Sequence, residues 1–204
     1  MSLELAKSLV EIEAIKFNFE EGFTYASGKN GPIYCDTRKI VGHPSVRTNF
    51  VLNLSSLIEG EKNIDAIGAM ATGAISLGSL LADRLNLPFF YVRSSAKKYG
   101  ASNQVEGVTK EWAKDKRCIL LEDLINSGGS VSKGALAVKE VGFDLHQIIS
   151  LVDYDFEVSK KLLAGLGKKN PDSLIRFDDI IKTIPESNEE LRLRLKNWHD
   201  HFYL

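Results

Sequence analysis

The sequence predicts an α/β domain, a central parallel sheet flanked by helices. Three observations carry this. Short, continuously apolar runs alternate with longer runs of helical periodicity, the pattern of strands buried on both faces. One such run, "CILLED" (118–123), passes straight into a polar Gly-Gly loop and then into helix-compatible sequence, a strand–loop–helix unit. The 204 residues, 44% of them hydrophobic and 26% charged, suffice for one domain with a sizeable core.

Taken in order, Leu5, Leu9 and Ile12 are spaced as one face of an opening helix. "GPIYCDTRKI" (31–40) reads as a short extended stretch entered through a Gly-Pro turn. "VRTNFVLNLSSLIEG" (46–60) reads as a helix and "IDAIGAM" (64–70) as a buried strand. "ATGAISLGSLLADRLN" (71–86) is then a helix entered through Thr72 and Gly73, and "FFYVR" (89–93) is the next strand. "CILLED" and "QIISLV" (147–152) are two further strands, separated by the helix "SVSKGALAVKEVG" (130–142). "SNEELRLRLKNWHDHFYL" (187–204) predicts a docked helix opened by a capping box from Ser187 to Glu190, with Leu191, Leu195, Trp198 and Phe202 on one face. Residues 94–116 lack a sustained apolar period. Their first part predicts a mobile loop that swings Lys97 and Lys98, just after Arg93, over a site.

The formal net charge of −1 argues against a nucleic-acid-binding surface, and no apolar run approaches the roughly 18 residues of a membrane span. The opening helix carries acids and does not read as a signal peptide. Two cysteines, Cys35 and Cys118, form neither metal spacing nor a disulfide framework, which fits a reducing cytoplasm. His43, His146, His199 and His201 cluster with nothing catalytic and read as surface or packing residues.

The chemistry concentrates in "CILLEDLINSGGS" (118–130). Ligands of open parallel sheets bind beyond the carboxyl ends of the strands, where Glu122 and Asp123 stand. The loop that follows offers backbone N–H groups, hydroxyls and a helix N-terminus, all suited to a phosphate, and Gly128 and Gly129 permit close approach. Two carboxylates beside a phosphate cradle suit the hydroxyls of an attached sugar, or a hydrated Mg²⁺. A ribose 5-phosphate meets all of these demands. By itself the stretch also fits a generic βα turn; it is neither a Walker A loop nor a GxGxxG turn.

These thirteen residues resemble the signature for 5-phosphoribosyl 1-pyrophosphate (PRPP) of the type I phosphoribosyltransferases. Two other stretches, "FTYASGKNGPIYCDTRKI" and "YVRSSAKKYGASNQVEG", resemble the orotate-using branch of that family in order and spacing. The resemblance implies the type I phosphoribosyltransferase fold, with a small hood formed by the terminal segments. It implies a single domain over residues 1–204, with 94–110 as a mobile catalytic loop. Glu122 and Asp123 would hold the ribose hydroxyls, and Leu124, Ile125, Asn126, Ser127, Gly128, Gly129 and Ser130 would form the rest of the signature around the 5′-phosphate. Thr72, in the loop "GAMATG", would contact pyrophosphate, and Arg93, Lys97, Lys98 and Tyr99 would grip the diphosphate. Lys97 and Asp123 would be the catalytic residues, and Asn126, Tyr34 and Cys35 would meet the base. Mg²⁺ would be the cofactor, held mainly through PRPP with no direct protein ligand. The implied reaction is transfer of the phosphoribosyl group to orotate, the alternatives being another base, such as a purine, or a non-catalytic PRPP sensor. The implied assembly is a homodimer with shared active sites in the cytoplasm, with PRPP and orotate as small-molecule partners. Departures from the family pattern are Ser94 for a lysine, Tyr99 for a histidine, Asn126 for a hydroxyl residue, and no arginine after the strand near Leu151.

Overall fold

The chain opens with α1 (Ser2–Glu11), whose Leu5, Ala6 and Leu9 are buried. Its structure here is a computed structural model describing residues 1–25, 28–94 and 104–203. Four short strands follow: β1 (Ile15–Phe17), β2 (Phe23–Thr24), β3 (Asn30–Gly31) and β4 (Ile33–Cys35). β1 pairs antiparallel with β4, and β2 with β3. The extended stretch expected over 31–40 ends at Cys35. Asp36 accepts a hydrogen bond from the Arg38 backbone N–H and starts a 3-10 helix, Thr37–Gly42, a local side-chain turn that competes with strand continuation.

The expected alternation comes next, as α2 (Pro44–Ile58), β5 (Ala66–Met70), α3 (Ile75–Leu85) and β6 (Phe89–Val92). Within the segment expected to be a loop (94–110), residues 95–103 lie outside the described residues. The remainder holds β7 (Val105–Glu106), antiparallel to β6, with Val105 buried at 4% exposure; this part of the loop expectation is corrected, because Val105 has a core position to fill. Next come α4 (Lys110–Ala113), β8 (Arg117–Ile125), α5 (Gly129–Val141) and β9 (Asp144–Asp153). α6 (Glu157–Leu163), β10 (Asp172–Arg176), α7 (Phe177–Thr183) and α8 (Glu189–His201) complete the described fold.

The main sheet has the order β10-β9-β8-β5-β6-β7, parallel except for β7. Between Cys118 and Leu121, alternate residues of β8 enter opposite cores. Ile119 and Leu121 join one built with α1, α2, α3 and α7, while Cys118 and Leu120 join another built largely with α5. The β8–β9 pair shifts register between Cys118 and Ile119, where β9 carries His146 as an extra residue. His146 is buried there against Glu61, its Nε2 2.7 Å from Oε2.

α8 docks as expected. Leu195 is fully buried, and Leu191, Trp198 and Phe202 pack against the first core. The expected capping box does not form. Ser187 lies in a 3-10 turn (Glu186–Asn188) entered after Pro185, and Asn188 takes the N-cap position without a side-chain bond. α8 and the small N-terminal ladders together make the hood: Tyr25 packs on Trp198, and Arg194 donates to the Phe19 carbonyl.

Candidate active site

β8 outlasts its expected length, so Leu124 and Ile125 belong to the strand, and Ile125 is buried in the core at 1% exposure. The chain then turns over three residues, Asn126, Ser127 and Gly128, before α5 begins. Gly128 holds φ at 78°, the left-handed region in which a side chain would be strained, and so brings the first turn of α5 back over the strand end. Glu122 and residues 124–131 line a cavity of about 100 Å³ there. The unpaired N–H groups of the α5 N-terminus and the end of its dipole favour an anion in that position.

The two acids differ in surroundings. Glu122 is buried at 5% exposure, with one carboxylate oxygen 3.0 Å from the Asp123 backbone N–H. Burial, reinforced by a shared hydrogen bond with the Asp123 side chain and by its charge, pushes the Glu122 carboxyl well above the usual range. Asp123 is half-buried, and its Oδ2 accepts from the Thr37 hydroxyl at 2.7 Å. A Cβ added at Gly73 would stand 2.0 Å from the same Oδ2. The hood-side turn after β4 and the loop after β5 thus close around one carboxylate.

Because folded Glu122 retains a proton that the unfolded chain gives up, the folded state binds more protons. The associated stability is present below the ordinary glutamate pKa and is lost as pH rises through the raised value. Urea unfolding of the parent and Glu122→Gln across the weakly acid to neutral range checks this. The parent should lose stability relative to the variant as pH rises, and parallel curves would contradict the assignment.

Thr72 lies in the loop after β5, and the Ala71–Thr72 peptide is cis. The Ala71 N–H donates to the Val92 carbonyl at 2.7 Å, joining this loop to the end of β6. Arg93 follows β6 and is clasped by Gln104: its N–H donates to the Gln104 carbonyl at 2.8 Å, and Gln104 Nε2 donates back at 3.3 Å. The Arg93 guanidinium is 3.7 Å from Glu106. Lys97, Lys98 and Tyr99 lie outside the described residues.

Tyr34 is 40% exposed and tilts against Phe23 with ring centroids 5.6 Å apart. Burial, with the charges of Asp123 and Asp36, raises the Cys35 thiol pKa, so Cys35 is a neutral thiol close to the acid pair. Asn126 meets an unexpected partner, since the Tyr203 hydroxyl donates to its Oδ1 at 2.8 Å. His199 is stacked between Phe156 and Phe177, with Nε2 2.6 Å from the Tyr154 carbonyl oxygen, a packing role like that of His146.

Sequence reasoning passed over Thr37 and Tyr203, and it placed Gly73 in the pyrophosphate loop without its close approach to Asp123. Thr37 sits inside the quoted "YCDTR" and Gly73 inside "GAMATG", so both were within reach of the motifs. Tyr203 lies 77 positions from Asn126, and no local pattern connects them.

The phosphoribosyl transferase domain family matches residues 52–162. The orotate phosphoribosyltransferase of Phocaeicola vulgatus is 36% identical over 197 residues, covering 95% of this chain and 91% of that protein. That of Porphyromonas gingivalis is 40% identical over 158 residues, 77% of this chain and 74% of that protein. Among solved structures, the orotate phosphoribosyltransferase of Aeropyrum pernix is similar with a TM-score of 0.74 and 27% identity, covering 88% of this chain and 97% of its own.

Proposed function

The chain belongs to the phosphoribosyltransferase family, and from that membership we propose that it transfers the 5-phosphoribosyl group of PRPP to orotate, yielding orotidine 5′-phosphate and pyrophosphate for pyrimidine synthesis. The observation that carries this reading is the acid pair at the end of β8, set beside a loop and helix start that enclose a phosphate-sized cavity. Asp123, supported by Thr37, and Glu122 accept hydrogen bonds from the ribose hydroxyls. The backbone N–H groups of residues 127–130 hold the 5′-phosphate.

Breaking the bond from C1′ to pyrophosphate builds positive charge on the ribose and negative charge on the leaving group. By the family resemblance, Arg93, the loop around Thr72, Lys97, Lys98 and Tyr99 would bind that leaving group, and a ring nitrogen of the base attacks. Stabilising the developing charge is then the protein's main task, and no protein nucleophile takes part. Among the described residues no group of three or more His, Cys, Asp or Glu side chains could cage a metal ion. The Asp123 carboxylate, with the Glu122 carboxyl beside it, would fit water ligands of a cation that the substrate carries. Mg²⁺ bound to the diphosphate supplies additional positive charge there.

We extend the proposal to a homodimer with shared sites in the cytoplasm. Exposed Leu52 and Leu80 line a groove of about 180 Å³ with Arg47 and Arg84, an apolar centre with a charged rim suited to a second copy. Among the described residues no helix is long and apolar enough to cross a membrane.

An absorbance screen of orotate, uracil, hypoxanthine, xanthine and adenine, each with PRPP and Mg²⁺, tests the reaction. Consumption of orotate alone is the expected result. Turnover of a purine instead would reassign the base, and PRPP binding with no turnover of any base would make the protein a sensor.

A further inference from the structure

If the base carries a carboxylate, something must donate to it. The residues after β9 are Tyr154, Asp155 and Phe156, which bring no cation. Asn126, which the resemblance places at the base, is the donor we take for it, and the inference here rests on the proposed use of orotate. A carboxamide attracts a carboxylate only through its NH₂ group; turned the other way, its oxygen repels it. The orientation of this one amide therefore decides what the subsite recognises.

The structure supplies a device that fixes it. The Tyr203 hydroxyl donates to Asn126 Oδ1 at 2.8 Å. With its oxygen engaged, the Asn126 amide has two N–H donors that meet no partner among the described residues and can turn to a ligand. Tyr203 is itself held in place. Its ring packs edge-on against Phe156 and Phe202, with centroids 4.8 Å away in both cases. Lys29 Nζ lies 4.8 Å from the same ring centroid and donates to the Phe202 carbonyl at 2.6 Å. The hood loop and the stretch after α8 thus converge on a single hydroxyl.

We propose that Tyr203 is a positioning residue for recognition of a carboxylated base: its hydroxyl anchors the Asn126 carboxamide oxygen and so presents the amide N–H groups to the carboxylate. Tyr203→Phe keeps the ring, its packing and the lysine contact, and removes only the hydroxyl.

Steady-state kinetics on the full chain, with Tyr203→Phe, Asn126→Leu and the double variant, test this. Tyr203→Phe should raise KM for orotate about 3- to 10-fold, the worth of one hydrogen bond, with kcat, KM for PRPP and the melting temperature near those of the parent. Asn126→Leu should raise KM for orotate at least as much, and the double variant should be no worse than Asn126→Leu alone. If Asn126→Leu is impaired but Tyr203→Phe is not, the positioning role is wrong and the base subsite stands. If Asn126→Leu leaves KM for orotate unchanged, the subsite assignment itself fails and the inference falls with it. Additive effects, or an equal rise in KM for both substrates, would mean that Tyr203 merely packs the loop, and would also overturn the proposal.

Discussion

Asp123→Asn is expected to weaken PRPP binding about 10- to 100-fold, the cost of replacing a charged hydrogen-bond acceptor with a neutral one. The substitution changes almost no volume. Asparagine can still offer an oxygen to the Thr37 hydroxyl, which donates to Asp123 at 2.7 Å. The turn should therefore survive and the loss should fall on the ligand. Titration calorimetry with PRPP and Mg²⁺ measures it, alongside a melting curve. If affinity stays at the parent's level, Asp123 is a structural turn residue, and the assignment of the ribose site to the end of β8 goes with it.

Gly73→Ala should be as damaging, by displacement rather than by loss of charge. The backbone there is not in the left-handed region, so alanine is locally acceptable. Its Cβ, however, would stand 2.0 Å from Asp123 Oδ2 and 2.4 Å from Cγ. The carboxylate must rotate away, breaking the Thr37 hydrogen bond and leaving the place a ribose hydroxyl would use. A misplacement of this size commonly costs about 10²-fold, and we expect kcat/KM to fall by that order while circular dichroism stays that of the parent. A fully active Gly73→Ala enzyme would show that Asp123 is free to work from another rotamer.

The sequence reading succeeded where one physical demand dominates. β5 and β8 are buried on both faces, so their runs are continuously apolar, and Ala66–Met70 and Cys118–Leu121 could be read without partners. α5 was legible because Gly128 and Gly129 mark its start and Gly142 its end. The misses share a different cause. β7 is two residues long and owes its place to β6, not to its own composition. The strand–helix pair β10 and α7 lies in "DSLIRFDDIIKT", too short a run to distinguish strand from helix by period. The capping box at Ser187 was a valid local signal that lost to the turn after Pro185. At the site, the acids and the glycine loop are contiguous in the chain and visible, whereas Thr37 meets Asp123 across 86 positions and Tyr203 meets Asn126 across 77. Such meetings are products of topology, and a single sequence does not record them.

The alternation along β8 also bears on which insertions and deletions the protein can tolerate. Asp123 meets Thr37 and stands against Gly73, while Glu122 lines the cavity at the start of α5, so the neighbouring acids serve different partners although their side chains touch at the strand end. One residue gained or lost between Cys118 and Asp123 would exchange the two, sending the carboxylate meant for Thr37 toward α5. Two residues would restore the faces but slide both acids along the strand by about 7 Å, beyond the reach of Thr37 and Gly73. Length change in this strand is thus forbidden in odd and even steps alike. The β8–β9 pair does change step once, at His146, but near the opposite end of the strands from the acids. There an odd residue is absorbed by β9 before the count that sets the site begins.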